Sequence, residues 1–221
     1  MSSPAGTATY HAVRMNRREF LLSAASTALL SHKARAAGNP DSVPAIDTHV
    51  HFYDPTRPEG VPWPRPSETM LYAPHLPDKF RAASASSNVL GTIVVEASPW
   101  LEDNQWLLDL AETTPEVVGI VGNLRLGQPE FITQLRRFTG NPLFRGIRVG
   151  LGTLKDGSVP TVAADFTRLA DADLSLDVIG RGPIIDATLR LARNWPTLRI
   201  IVNHLPFPEW DGDVSGLRTA L

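Results

Sequence analysis

Cysteine is absent from the 221-residue chain. That excludes disulfide scaffolds, thiolate zinc sites, iron–sulfur clusters and thiol nucleophiles. An excess of charge is also missing, with 21 Lys and Arg against 23 Asp and Glu. Without a long basic run, nucleic acid is not expected as a partner. No apolar run reaches the ~20 residues that a membrane span needs. The longest candidate, Phe20–Leu30, is shorter and carries Ser and Thr. Proline and glycine are plentiful, at 19 and 16 residues, so turns are frequent. The 43% hydrophobic and 20% charged fractions are those of an ordinary globular protein.

Residues 1–36 read as an export signal. Arg17 and Arg18 precede an apolar run from Phe20 to Leu30, and Ala34 and Ala36 close the segment. Basic region, short apolar region and small-x-small end occur in the order of a signal peptide. The Arg-Arg pair followed by Phe-Leu resembles a twin-arginine signal, and Met15 stands just before it. The expected location is therefore periplasmic or otherwise extracytoplasmic, with a domain at 37–221.

The rest of the chain alternates between two patterns. Strand-like runs cover 44–51, 90–97, 117–124, 144–149, 174–179 and 198–203. Helix-like segments cover 78–87, 102–113, 129–138, 162–172 and 183–194, the fourth-turn spacing being clearest at Trp106, Leu107, Leu110 and Ala111. Such alternation predicts a parallel sheet with crossover helices. No Gly-x-Gly-x-x-Gly follows the first strand, which weakens a dinucleotide-binding sheet. Polar residues gather at the C-terminal ends of strands, and a barrel brings those ends round one mouth.

Asp47-Thr48-His49-Val50-His51 is the sharpest chemical signal. Side chains at i and i+2 of a strand share a face, so two imidazoles can meet one cation or one substrate. His204 ends the sixth strand-like run and would face the same mouth. Arg145 and Arg148 are three apart, so strand alternation sends them to opposite faces. Arg148, nearer the strand end, is the candidate for a substrate carboxylate or a developing oxyanion, or else for an ion pair. Glu96 is either paired with a cation such as Arg148 or in contact with ligand, and Asp177 has the same two readings. Trp63 lies in a long Pro-rich loop, read as a lid over the site.

These residues carry a family resemblance. The segments IDTHVHFYDP, GTIVVEASPWLEDNQWLLDLAE, VVGIVGNL, NPLFRGIRVG, LSLDV and PTLRIIVNHLPFP run in order from Ile46 to Pro208. They resemble the amidohydrolase superfamily, in particular its amidohydrolase-related and sugar or pyrone-dicarboxylate lactonase-like branch. The resemblance implies a (β/α)8 barrel of TIM type. It also implies hydrolysis of a lactone, ester or amide bond in a small carboxylate- or sugar-derived molecule. In much of that superfamily the first-strand His pair binds a divalent ion, here His49 and His51 with Zn or Mn. His204 and Asp177 are then the catalytic candidates, and Arg148, Glu96 and Trp63 the substrate-binding ones.

Two departures accompany the resemblance. The fifth strand-like run carries Asp177 where metal-binding members often place a His, and the eighth-strand Asp has no counterpart. A zinc site wants at least three protein ligands, so a metal-free site whose imidazoles polarise the carbonyl directly stays open beside the metal site. Without residues 1–36 the chain also falls short of the ~250 residues of a typical barrel. About six of eight βα units are therefore expected, with the C-terminal part missing. Decarboxylation on the same scaffold, or an inactive fragment, are the alternatives.

Overall fold

The computed structural model describes residues 43–204, so the expected export signal lies outside the described residues. The first strand, β1 (Ala45–Val50), leads through the Pro-rich loop to helix α1 (Pro77–Ser84). Next come β2 (Val89–Val95), α2 (Leu101–Glu112), β3 (Val117–Gly122), α3 (Phe131–Thr139) and β4 (Phe144–Gly150). A short helix α4 (Leu151–Lys155) and a 3₁₀ turn (Asp156–Ser158) precede α5 (Pro160–Asp171) and β5 (Ser175–Ile179). The last elements are α6 (Ile184–Asn194) and β6 (Arg199–Val202).

The strands form one sheet in the order β1-β2-β3-β4-β5-β6, each neighbouring pair parallel. A doubly wound sheet reverses its strand order at a switch point. Here each βα unit adds on the same side of the last, the winding of a (β/α)8 barrel. Six of the eight strands of such a barrel lie among the described residues.

The helices cover one face of the sheet. Phe131, Leu135 and Phe138 recur on one side of α3, and Phe138 stacks on Phe144 of β4 with ring centroids 5.4 Å apart. Val162, Phe166 and Leu169 do the same for α5, and Ile184, Ala187 and Leu191 for α6, against Leu176 and Val178 of β5. Burying each large side chain contributes roughly 1.5–3 kcal/mol. Pro160 starts α5, where its missing N–H costs no helical bond. Asn104 of α2 is buried and joins the helix to the end of β3: its Oδ1 accepts from Asn123 N and its Nδ2 donates to Asn123 O, both at 2.8 Å.

The other face lines the interior. Gly146 pairs with Ser175 and Arg148 with Asp177 across β4 and β5, which puts all four on that face. A Cβ at Gly146 would meet the Ser175 carbonyl oxygen at 2.6 Å, so only glycine lets these strands approach. The pairing of β3 with β4 jumps from Ile120↔Phe144 to Val121↔Gly146, leaving Arg145 as an extra residue. The irregularity turns Arg145 into the interior cavity. The expectation that Arg145 and Arg148 face opposite layers is thereby corrected: a bulge suspends the two-residue alternation, and both reach the inner face.

Candidate active site

The C-terminal ends of β1 and β6 bring three imidazoles together. The His49 ring lies 5.0 Å from His51 and 4.8 Å from His204, centroid to centroid. His49 sits on β1, where its backbone N–H donates to Asp47 Oδ1 at 3.1 Å. His51 follows directly after that strand, and its Nδ1 lies 2.9 Å from Val95 O. The carbonyl can only accept, so Nδ1 carries the proton and Nε2 keeps its lone pair. His204 adopts a left-handed backbone, φ 58°, two residues past β6.

Burial and like charge keep the β1 pair neutral. Desolvation lowers His51 to about 4, with the Arg148 cation and the other imidazoles adding to it. Desolvation also lowers His49, helped by His204 and Arg148. The His49 Nε2 atom is buried without a hydrogen-bond partner among the described residues.

Asp177 faces the same cavity, which measures about 560 Å³ and includes Thr48, His49, Ser175, Asn203 and His204 in its wall. Asn203 Nδ2 donates to Asp177 Oδ2 at 2.8 Å, and Ser175 Oγ donates to Oδ1 at 3.3 Å. Burial raises the Asp177 carboxyl above its ordinary range despite those two donors. The raised proton affinity suits this carboxylate to accept a proton.

Arg148 and Glu96 are spent on each other. Arg148 Nε donates to Glu96 Oε1 at 2.7 Å and Nη2 donates to the Glu96 carbonyl at 2.5 Å. Both side chains are largely buried. Of the two readings that the sequence left for this pair, the structure holds the ion pair. Burial raises Glu96, and Arg148 opposes that rise. Trp63 is part of an aromatic group beside the imidazoles, 6.0 Å from His51 and 5.4 Å from Tyr53. Tyr53 in turn stacks on His75 at 4.8 Å. Trp106 lies under the Arg57 guanidinium at 4.4 Å, a packing contact.

Asn203 was not legible as a site residue. Its signal was its place next to His204, at the end of an apolar strand.

The fit of a divalent ion can be judged from the donors. Neutral imidazoles, a His51 ring held by a backbone carbonyl and the lone His49 Nε2 atom are suitable in kind. Among the described residues, however, no three His, Asp or Glu side chains already form a metal-holding group. The donors are thus chemically suitable and loosely gathered.

The amidohydrolase family model matches residues 46–218 of this chain. The chain belongs to the amidohydrolase family. An L-fucono-1,5-lactonase of Burkholderia ambifaria is 31% identical over 166 residues, which cover 74% of this amidohydrolase chain and 57% of that protein. The chain thus spans little more than half the length of that relative. Among solved structures, an amidohydrolase from Burkholderia multivorans with bound zinc superposes with a TM-score of 0.66 at 21% identity, over 80% of this chain and 64% of that one. A probable 2-pyrone-4,6-dicarboxylic acid hydrolase from Acinetobacter baumannii, with citric acid bound, gives 0.56 at 16% identity, over 74% and 59%. At these identities the two structures speak for the barrel fold.

Proposed function

We propose that this amidohydrolase opens a small lactone by adding water to its carbonyl. The carrying observation is the convergence of three imidazoles at the C-terminal ends of β1 and β6 with a buried carboxylate on β5 in one cavity. Barrel enzymes act at that end. Membership of the family and the likeness to a lactonase support the reading.

In this reading the carbonyl oxygen lies towards the imidazoles and the ring faces Asp177. Asp177 takes a proton from the attacking water, its raised proton affinity favouring the transfer. Asp177 returns that proton to the ring oxygen as the C–O bond breaks, while His204, exposed at the rim, helps to orient the carbonyl. Trp63 covers the outer side and limits solvent access. His49, His51 and His204 would hold a divalent ion, Zn or Mn. Such an ion, when bound, polarises the carbonyl and acidifies water. Arg148, held by Glu96, braces the mouth, and its charge disfavours protonation of His49 and His51.

Ring opening of aldono- and pyrone-type lactones, followed by proton release with and without added Zn²⁺ or Mn²⁺, tests the reading. Lactone opening lost in Asp177→Asn is expected. Release of CO₂ instead of ring opening would replace it with decarboxylation, and inertness towards every lactone would refute it.

Export by the twin-arginine route is proposed on Arg17, Arg18 and the Ala34-x-Ala36 end. Intact mass of the exported form should begin near Ala37; a chain starting at Met1 or Met15 would refute it.

A further inference from the structure

We propose that Arg57 is the positioning residue that holds Trp63 beside the imidazoles, making the loop between Tyr53 and His75 a fixed rim of the site rather than a moving lid. The proposal rests on the lactone-hydrolase reading only for what Trp63 does there. The loop is closed at its neck. Tyr53 N donates to His75 O at 3.0 Å and His75 N donates to Tyr53 O at 2.9 Å, an antiparallel pair. The Tyr53 ring contacts both His75 and Trp63, and its hydroxyl donates to Leu71 O at 3.0 Å. These contacts tie the two ends of the loop to each other.

The link from the loop to helix α2 comes from Arg57. Its Nη2 donates to Asp103 Oδ1 at 2.8 Å and to Gly60 O at 3.3 Å, while the guanidinium lies 4.4 Å over the Trp106 ring. Gly60 N donates back to Arg57 O at 2.9 Å, and the φ of 68° at Gly60 suits glycine, so 57–60 is a closed turn. Pro62 restricts the backbone between that turn and Trp63. A displacement of the turn is thereby passed on to the Trp63 ring, which lies 6.0 Å from His51. The space left between Arg57, Trp63, Glu96, Asp103 and Trp106 is only about 10 Å³, which admits no substrate. Arg57 and Asp103 are 13% and 15% exposed, so solvent screens their pairing less than that of a surface ion pair. Arg57 therefore acts through Trp63 and not on a ligand. The planar guanidinium is what allows stacking and both hydrogen bonds at once.

The test replaces Arg57 and Trp63 singly and together. Arg57→Met should raise KM for the lactone ~3–10-fold with less change in kcat, as Trp63→Ala does, and the double variant should be no worse than Trp63→Ala. Hydroxyl-radical footprinting, read at Trp63 by peptide mass, needs no turnover. Trp63 is 38% exposed, and its labelling should rise ~2-fold in Arg57→Met and in Asp103→Ala as the loop comes away from α2. Trp195, packed on Phe166, serves as the internal control and should not change. KM effects that multiply in the double variant, or Trp63 labelling left unchanged, overturn the inference and leave the hydrolase reading standing. If Arg57→Met loses its fold, labelling rises at Trp195 too, and Asp103→Ala decides by the same criterion. Inertness towards every lactone overturns the hydrolase reading, and the labelling of Trp63 still decides whether Arg57 holds it.

Discussion

Removing Arg148 should destabilise the protein far more than removing Arg148 and Glu96 together. The two side chains are 11% and 16% exposed, and two hydrogen bonds join Arg148 to Glu96. Arg148→Met leaves the Glu96 carboxylate in a site whose burial already raises it. Breaking one side of such a buried pair costs about 3–5 kcal/mol, whereas replacing both members by neutral groups of similar size is often close to neutral. The double variant Arg148→Met with Glu96→Gln should therefore lie within about 2 kcal/mol of wild type. For a domain of this size, about 3 kcal/mol corresponds to a Tm drop of roughly 6–12 °C. Chemical denaturation of the four proteins gives the coupling directly. Singles that each cost under about 0.5 kcal/mol, or a double equal to their sum, would refute the buried-pair account.

Three further outcomes follow from the packing and charge of the site. His51 is lowered to about 4 in the folded protein, so its contribution is full above the ordinary 6.5 and is lost as pH falls towards 4. That range corresponds to roughly 3 kcal/mol at about 1.4 kcal/mol per pH unit. Asp177 and Glu96 are raised and act with the opposite sign, losing stability as pH rises, so the comparison must be with His51→Asn. Denaturation curves of wild type and His51→Asn that stay parallel between pH 6.5 and 4 would contradict the burial argument. Gly146→Ala drives a Cβ against the Ser175 carbonyl and should cost about 1–3 kcal/mol, while Gly152→Ala in α4 meets nothing within 4 Å and should be neutral or stabilising. Equal Tm values for the two alanine variants would show that β4 and β5 can part freely. Trp63→Ala removes the ring beside His51 and should raise KM for the lactone ~3–10-fold with less change in kcat, a KM left unchanged counting against its role over the site.

The sequence shows most of the helix layer and only part of the site. Apolar runs such as Ile93–Val95 and Ile200–Val202 mark strands because β-branched residues suit a pleated sheet. Helix α4 is not visible, because Gly150, Gly152 and Gly157 make the stretch after β4 look like a loop. His49 and His51 can be paired by strand periodicity, and both rings do lie on the same side of the sheet end. Arg145 cannot be placed in that way, because the bulge at β4 depends on how β3 and β4 pair rather than on local sequence. The sequence leaves the pairing of Arg148 with Glu96, 52 positions apart, as one of two readings, and only the contact itself decides between them. Asn203 matters through its contact with Asp177 on the neighbouring strand, 26 positions away.

The central claim is that the imidazoles of His49, His51 and His204 work as one hydrolytic centre. Measuring kcat/KM for lactone opening in His49→Asn, His51→Asn, His204→Asn and the triple variant tests it most directly. Groups that act as a unit are strongly non-additive. Each single substitution should lose ~10²–10⁴-fold, the range of a positioned proton-transfer group, and the triple variant should be little worse than the worst single. Near-wild-type rates in any single variant, or losses that multiply in the triple, would contradict the account.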